Sequence, residues 1–278
     1  MIIIVKFFYK LKKKLFYLQY NFFQYIRIIL SVNQKIQIGR FVLQLPPYHL
    51  FSLYKKIYKK YDKYLVDLSK NFKKSTSIVD IGANVGDTLF EFINKNTRPN
   101  FYCIEGDNFF FKYLKSNVIK IKPFIKTNIF LINEIVGHNL KGKLVGEGGT
   151  KVFVKSKKGI QTKSLNQIVK ENKINKIKLI KIDVDGYDFN IINSGLKILK
   201  KFKPIIYFEI MIIDTNSLLN YRKTIIKLDK MGYKFWTLLD NYGNIIFKNK
   251  NTNQFLSFIK FSHIGDIYDV ACYIKKIK

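Results

Sequence analysis

Thiols are scarce in this chain. Cys103 and Cys272 are the only cysteines and lie far apart. Without a C-x-x-C pair there is no disulfide framework; each sits in an apolar run, so two buried thiols are expected, as suits a reducing cytoplasm. Arginine is confined to Arg27, Arg40, Arg98 and Arg222, although lysine and arginine together number 50 against 19 acidic residues, a formal charge of +31. So basic a balance points to anionic partners such as nucleic acid or a membrane surface. Proteins that read bases rely on the bidentate arginine fork, so its scarcity disfavours nucleic acid and favours a solvated lysine surface with some attraction to anionic membrane. Histidine is limited to His49, His138 and His263. They form no H-x-H or H-E-x-x-H spacing and no EF-hand loop is present, so no metal site is expected. Internal repeats and Gly/Ser linkers are also missing.

What is present suffices for one large domain of the 278 residues, with 47% hydrophobic residues and ample material for a core. Residues 1–35 differ in flavour and read as an extension, leaving 36–278 as the main domain. "MIIIVKFFYKLKKKLFYLQYNFFQYIRIIL" has its charges after the first apolar run and no small-residue cleavage site, unlike a secretory signal. Its longest uncharged stretch, Leu15 to Ile26, falls short of the roughly 18–20 residues of a spanning helix. Two readings stand: a helix lying in the interface of an anionic membrane, or one packed on the domain or a partner. The expected location is cytoplasmic, with peripheral attachment at the inner membrane face under the first reading.

"IGRFVLQLPPYH" (Ile38–His49) predicts a strand stopped by Pro46-Pro47, and Leu50–Phe72 a helix. Strands and helices then alternate: strands at Ile78–Ile81, Phe101–Ile104, Ile129–Val136, Ile177–Val184 and Ile205–Ile210, helices at Asp87–Asn94, Asp107–Val118, Tyr187–Phe202 and Ser217–Met231. Between them, "KGKLVGEGGTKVFV" reads as a glycine-rich antiparallel excursion, and Ser164 and Gln167 have capping-box spacing. Tyr233–Leu239, Asn244–Lys248 and Ile267–Ile274 read as further strands. Several strands are continuous apolar runs, the mark of burial on both faces. The pattern predicts an α/β fold with an open, mainly parallel sheet, whose ligands bind beyond the carboxyl ends of the strands.

Those ends carry polar residues. The first reads "VDIGANVGDT": Gly82 and Gly86 permit a sharp turn and close approach to the backbone, and the following helix offers unpaired N–H groups. The dinucleotide fingerprint needs a middle glycine that Ala83-Asn84-Val85 does not supply. Asp80 and Asp87 make the loop negative, poor for a diphosphate and acceptable for a cation. The second strand ends at Glu105, where a carboxylate can accept two ribose hydroxyl hydrogen bonds, followed by Asp107 and Asn108 as helix caps. The fourth ends in Asp183, Asp185 and Asp188 around Gly186, with Lys181 on the strand face of Asp183. Carboxylates so close repel unless they cap a helix, bind a cation or do proton chemistry. Glu209 stands at the fifth.

In order, "VDIGANVGDT", "CIEGDN", "SLNQIV", "LIKIDVDGYDFNIINSG" and "PIIYFEI" resemble the motifs of FkbM-type S-adenosylmethionine-dependent methyltransferases, as does the lead-in from Ile38; the resemblance spans Ile38 to Ile210. It implies a Rossmann-like class I methyltransferase fold, with helices on both sheet faces and an antiparallel strand near the C-terminus, and S-adenosyl-L-methionine as cofactor. The cofactor set it implies is Asp80, Gly82, Asn84, Gly86 and Asp87 along the methionine part, Glu105 on the ribose, Asp107 and Asn108 near adenine, and Asp183 at the sulfonium or acceptor. The family's usual D-V-E-G stands here as Asp183-Val184-Asp185-Gly186, with a shorter carboxylate. The implied activity is O-methylation, with a sugar hydroxyl of a cell-surface polysaccharide or glycolipid as acceptor. Asp183, then Glu209, then His138 are the candidates for proton acceptor or substrate orienter. The competing class is a non-catalytic α/β protein that binds membrane or nucleic acid; the intact loop and Glu105 argue against it.

Overall fold

A computed structural model of the chain describes residues 27–95, 98–146 and 149–276. The expected N-terminal helix falls mostly on residues 1–26 and so lies outside the described residues. Among those described, no helix is long and apolar enough to cross a membrane.

The chain enters through a hairpin of β1 (Gln34–Ile38) and β2 (Phe41–Leu45), with Ile38 opposite Phe41. The expected strand from Ile38 is in fact split: Gly39, at φ +55°, and Arg40 make a two-residue turn. Pro46 stops β2 as expected. The helix expected over Leu50–Phe72 is two, α1 (Phe51–Ile57) and α2 (Lys63–Leu68). Asp62 separates them at φ +58°, a left-handed conformation that no continuous helix holds.

Then come β3 (Ser77–Ile81), α3 (Asp87–Asn94), β4 (Asn100–Ile104), α4 (Asn108–Ile121) and β5 (Ile129–Ile132). β6 (Lys141–Val145), β7 (Val152–Lys155) and β8 (Ile160–Gln161) form a separate antiparallel sheet, the glycine-rich excursion. α5 (Leu165–Glu171), β9 (Ile177–Ile182), α6 (Asp188–Ser194), α7 (Leu196–Phe202), β10 (Ile205–Met211) and α8 (Thr215–Lys230) follow. The chain closes with β11 (Phe235–Asp240), β12 (Ile245–Asn251), α9 (Thr252–Ile259) and β13 (Ile267–Tyr273). The helix expected from Tyr187 to Phe202 breaks at Gly195, which lies against the Leu165 side chain. α9 was not expected from the sequence; Asn251 and Gln254 start it with a reciprocal capping box. The capping box of Ser164 and Gln167 is present as expected.

The central sheet has the order β12-β11-β13-β10-β9-β3-β4-β5. β10, β9, β3, β4 and β5 run parallel, while β13 is antiparallel between β10 and β11. β3, "SIVDI", is buried at every position because helices cover both faces. One apolar cluster, including Val79, Ile180, Phe208 and Trp236, packs under α5, α6, α8 and α9. The other, including Ile78, Leu89, Phe101 and Leu114, packs under the β1–β2 hairpin, α3 and α4. Each of these side chains contributes about 1.5–3 kcal/mol by leaving water. This core fixes the carboxyl ends of β3, β4, β9 and β10 side by side.

Candidate active site

Two adjoining cavities open at those ends. The first has about 690 Å³ of space and is lined by Gly82, Asn84, Glu105, Phe110, Ile135 and Tyr187 among others. The second, about 1050 Å³, reaches Tyr54, Tyr61, Asp87, Lys181 and Glu209. Gly82, Asn84, Asp183 and Asp185 line both and form the seam between them.

Gly82 sits at φ +78° at the end of β3. A Cβ there would collide with the backbone oxygen of Asp183, so the glycine serves close approach of the β3 and β9 termini. Gly86, at φ +93°, caps α3 beside the Leu114 side chain and lines neither cavity. Glu105 is buried at the end of β4. Its Oε2 accepts from the Asn84 N–H at 2.8 Å and its Oε1 from the Asp107 N–H at 2.7 Å. Burial pushes its carboxyl up to about 7, against the pull of those two bonds. Each oxygen keeps a lone pair for a further donor, and Ile104, Phe110 and Ile135 give this cavity an apolar wall.

The second cavity is acidic in a basic protein. Lys181, buried, stands 3.3 Å from Asp80 and 3.1 Å from Asp183. Burial works against its charge, but Asp183, Asp80, Asp87 and Asp62 more than offset it and hold the ammonium protonated. Among the described residues no other cation lies within 4 Å of Asp62, Asp87, Asp185, Asp188, Glu209 or Asp269. Burial, aided by mutual repulsion, raises Asp62 to about 6 and Asp87 and Asp185 to about 7. Asp188, Glu209 and Asp269 are raised well above the usual range by the same causes. Asp188 Oδ2 and Glu209 Oε2 are buried without a hydrogen-bond partner. Such a site favours a cation or holds protons.

The predicted residues therefore divide. Gly82, Asn84, Asp87, Glu105, Asp183 and Glu209 line the cleft. Asp80 lies beneath it, buried against Lys181. Asp107 caps α4 through the N–H groups of Phe109 and Phe110, and Asn108 is exposed; neither lines a cavity. His138 departs from expectation: it is exposed and lines neither cavity, and its backbone N–H donates to Asn190 Oδ1 of α6 at 2.8 Å. Sequence reasoning missed Asp62 and Asp269, brought in from distant segments, and His49, which bonds Asn84.

An open parallel sheet with a cleft across its strand termini, a glycine turn after β3 and a buried acid after β4 define a nucleoside-cofactor α/β enzyme of the Rossmann-like kind. A family model described as "Methyltransferase FkbM domain" matches residues 80–235, and the chain belongs to this family. No curated protein matches the chain. Among solved structures, it is similar to the methyltransferase FkbM from Methylobacillus flagellatus KT, at 15% identity over 73% of this chain and 44% of that one, TM-score 0.49. It also resembles precorrin-6y C5,15-methyltransferase from Geobacter metallireducens GS-15, at 12% identity over 76% and 87%, TM-score 0.40. A third likeness is to TrmK of M. capricolum, solved with S-adenosyl-homocysteine, at 14% identity over 77% and 68%, TM-score 0.39.

The cofactor that goes with the family is S-adenosylmethionine. The cleft fits it: the seam lacks a Cβ at Gly82, the buried Glu105 has lone pairs to spare, and the carboxylate of Asp183 lies on the seam between the two cavities.

Proposed function

We propose that this chain is an O-methyltransferase acting on a hydroxyl of a sugar in a cell-surface polysaccharide or glycolipid. The observation that carries the reading is the place of Asp183, a carboxylate on the seam between the nucleoside cavity and the outer cavity. When bound, S-adenosylmethionine supplies a methyl group on a positively charged sulfur. Glu105 would hold the ribose, and Gly82 and Asn84 would lie along the methionine part. Lys181 fixes Asp183 Oδ2 at 3.1 Å, which leaves Oδ1 to take the proton of the acceptor hydroxyl. Glu209, its carboxyl raised by burial, lines the outer cavity and orients the acceptor by hydrogen bonding. Tyr54 and Tyr61, rings 5.8 Å apart, offer apolar faces of the kind that pack on sugar rings.

Incubation of the protein with labelled S-adenosylmethionine and glycolipid precursors or surface glycans, followed by mass analysis, tests the reading. A methyl ether on a sugar is expected. Label found solely on protein, lipid chain or nucleic acid overturns it. Peripheral contact with anionic membrane is part of the proposal: Ile28, Ile29, Leu30 and Val32 are about half exposed or more on a chain of charge +31.

A further inference from the structure

Asn84 lies at φ +47°, a left-handed conformation that asparagine tolerates better than most residues. Three bonds hold it. Its backbone N–H donates to Glu105 Oε2 at 2.8 Å, its Nδ2 donates to the Gly149 carbonyl at 2.8 Å, and its Oδ1 is 3.1 Å from His49 Nε2. His49 Nδ1 accepts from the Phe51 N–H at 3.2 Å, so in the neutral ring the proton is on Nε2, which donates to Asn84. That donation decides which way the Asn84 amide faces. With Oδ1 held by the imidazole, Nδ2 points at Gly149, in the β6–β7 connection. Lys151, two residues on, lines the nucleoside cavity and stands 3.8 Å from Asp107. The His49 ring is itself buried, edge-on to Phe110 of that cavity. One imidazole thus ties the segment before α1, the cofactor loop and the β6–β7 connection together.

We propose that His49 is a positioning residue for the cofactor: it sets the Asn84 side chain, which holds the loop and the β6–β7 connection together at the nucleoside cavity. The inference rests on that cavity taking an S-adenosyl nucleoside.

Two substitutions separate positioning from mere support of α1. His49→Gln places an amide donor where Nε2 was and gives up the acceptor for Phe51. His49→Asn keeps an acceptor where Nδ1 was and gives up the donor to Asn84. Calorimetric titration of the full chain with S-adenosylhomocysteine should give near wild-type affinity for His49→Gln and a loss of about tenfold for His49→Asn. In an Asn84→Ala background, His49→Asn should cost nothing more. Amide hydrogen exchange of the unliganded protein should quicken at Gly149–Lys151 in His49→Asn alone. Equal or reversed effects of the two variants, additivity with Asn84→Ala, or unchanged exchange overturn the inference while leaving the enzyme reading intact. Failure of the wild-type chain to bind S-adenosylhomocysteine overturns both.

Discussion

The carbonyl oxygen of Asp183 occupies the place that a side chain on Gly82 would need. What comes close to the backbone at the first glycine of "IGANVG" is therefore the neighbouring strand terminus, and that contact brings the proposed proton acceptor beside the cofactor loop. Gly82→Ala adds a Cβ at φ +78° against backbone that cannot swing aside. The expected cost is about 2–4 kcal/mol, read from urea unfolding. A loss below about 0.5 kcal/mol, within the range of a neutral surface change, refutes the close-packing account.

Glu105→Gln tests the nucleoside cavity. Both Glu105 oxygens accept backbone N–H groups, from Asn84 and Asp107. The glutamine amide turns one of these contacts into donor against donor, at a cost of about 1–3 kcal/mol. S-adenosylhomocysteine should bind roughly 10–100-fold more weakly. Because the carboxyl is raised to about 7, wild-type affinity should climb as pH passes through that value and Glu105 ionises. The variant's affinity should stay flat, and a parallel rise in both would assign the titration elsewhere.

Much of this site was legible in the sequence because it is built on strand ends. Lys181, near the end of β9, and Asp183, one residue past it, are two apart, so a shared face is expected from the pleat, and they meet at 3.1 Å. Gly82, Glu105 and Glu209 came from the same rule, that ligands gather beyond parallel strands. What stayed hidden depends on long-range folding. Asp269 reaches the site because β13 inserts between β10 and β11, which sets it opposite Glu209; no local pattern announces that insertion. Asp62 arrives through a left-handed turn inside a run with helical spacing. His49 has meaning only through Asn84, 35 residues away in sequence.

The acid cluster predicts an unusual pH dependence for the unliganded protein. Asp62, Asp87, Glu105 and Asp185 have raised carboxyls, at about 6 to 7, so the folded state holds protons that the unfolded chain has released. Their contribution is intact below about pH 4 and fades as pH climbs through 6 to 7. His49, lowered to about 4 by burial, works the other way: the unfolded chain binds its proton first, so stability drops between about pH 6.5 and 4. Above pH 5.5 four carboxylates outweigh one histidine. Urea unfolding should show a loss on the order of 2 kcal/mol or more between pH 5.5 and 8. A flat or rising profile contradicts the shared cause, burial of the carboxyls away from water.

Membrane contact is checked by co-sedimentation with anionic phosphatidylglycerol vesicles. Replacing Ile29 and Leu30 with serine removes two exposed apolar side chains, 63% and 65% exposed. Bound protein should fall clearly while S-adenosylhomocysteine affinity holds. Undiminished sedimentation would assign the attraction to the general lysine surface. A truncation for the same purpose should end by Ser31, since Asn33 accepts a bond from the Tyr113 hydroxyl at 2.6 Å and β1 starts at Gln34.

Asp183→Asn bears on the chemistry. Asparagine keeps the shape at the seam and an oxygen for Lys181, but it cannot take a proton from an acceptor hydroxyl. If Asp183 is the base, methyl transfer to the glycan acceptor should drop by about 10²–10⁴-fold, while S-adenosylhomocysteine affinity changes by less than about threefold. The loss should shrink at high pH, where the acceptor hydroxyl ionises without help, whereas a loss caused by a repositioned acceptor would persist. Glu209→Gln, which keeps the shape and hydrogen-bonding capacity of the side chain in the outer cavity, should retain most of the turnover and raise the acceptor's KM. If the two variants exchange these behaviours, Glu209 takes the proton and Asp183, held by Lys181, orients the substrate.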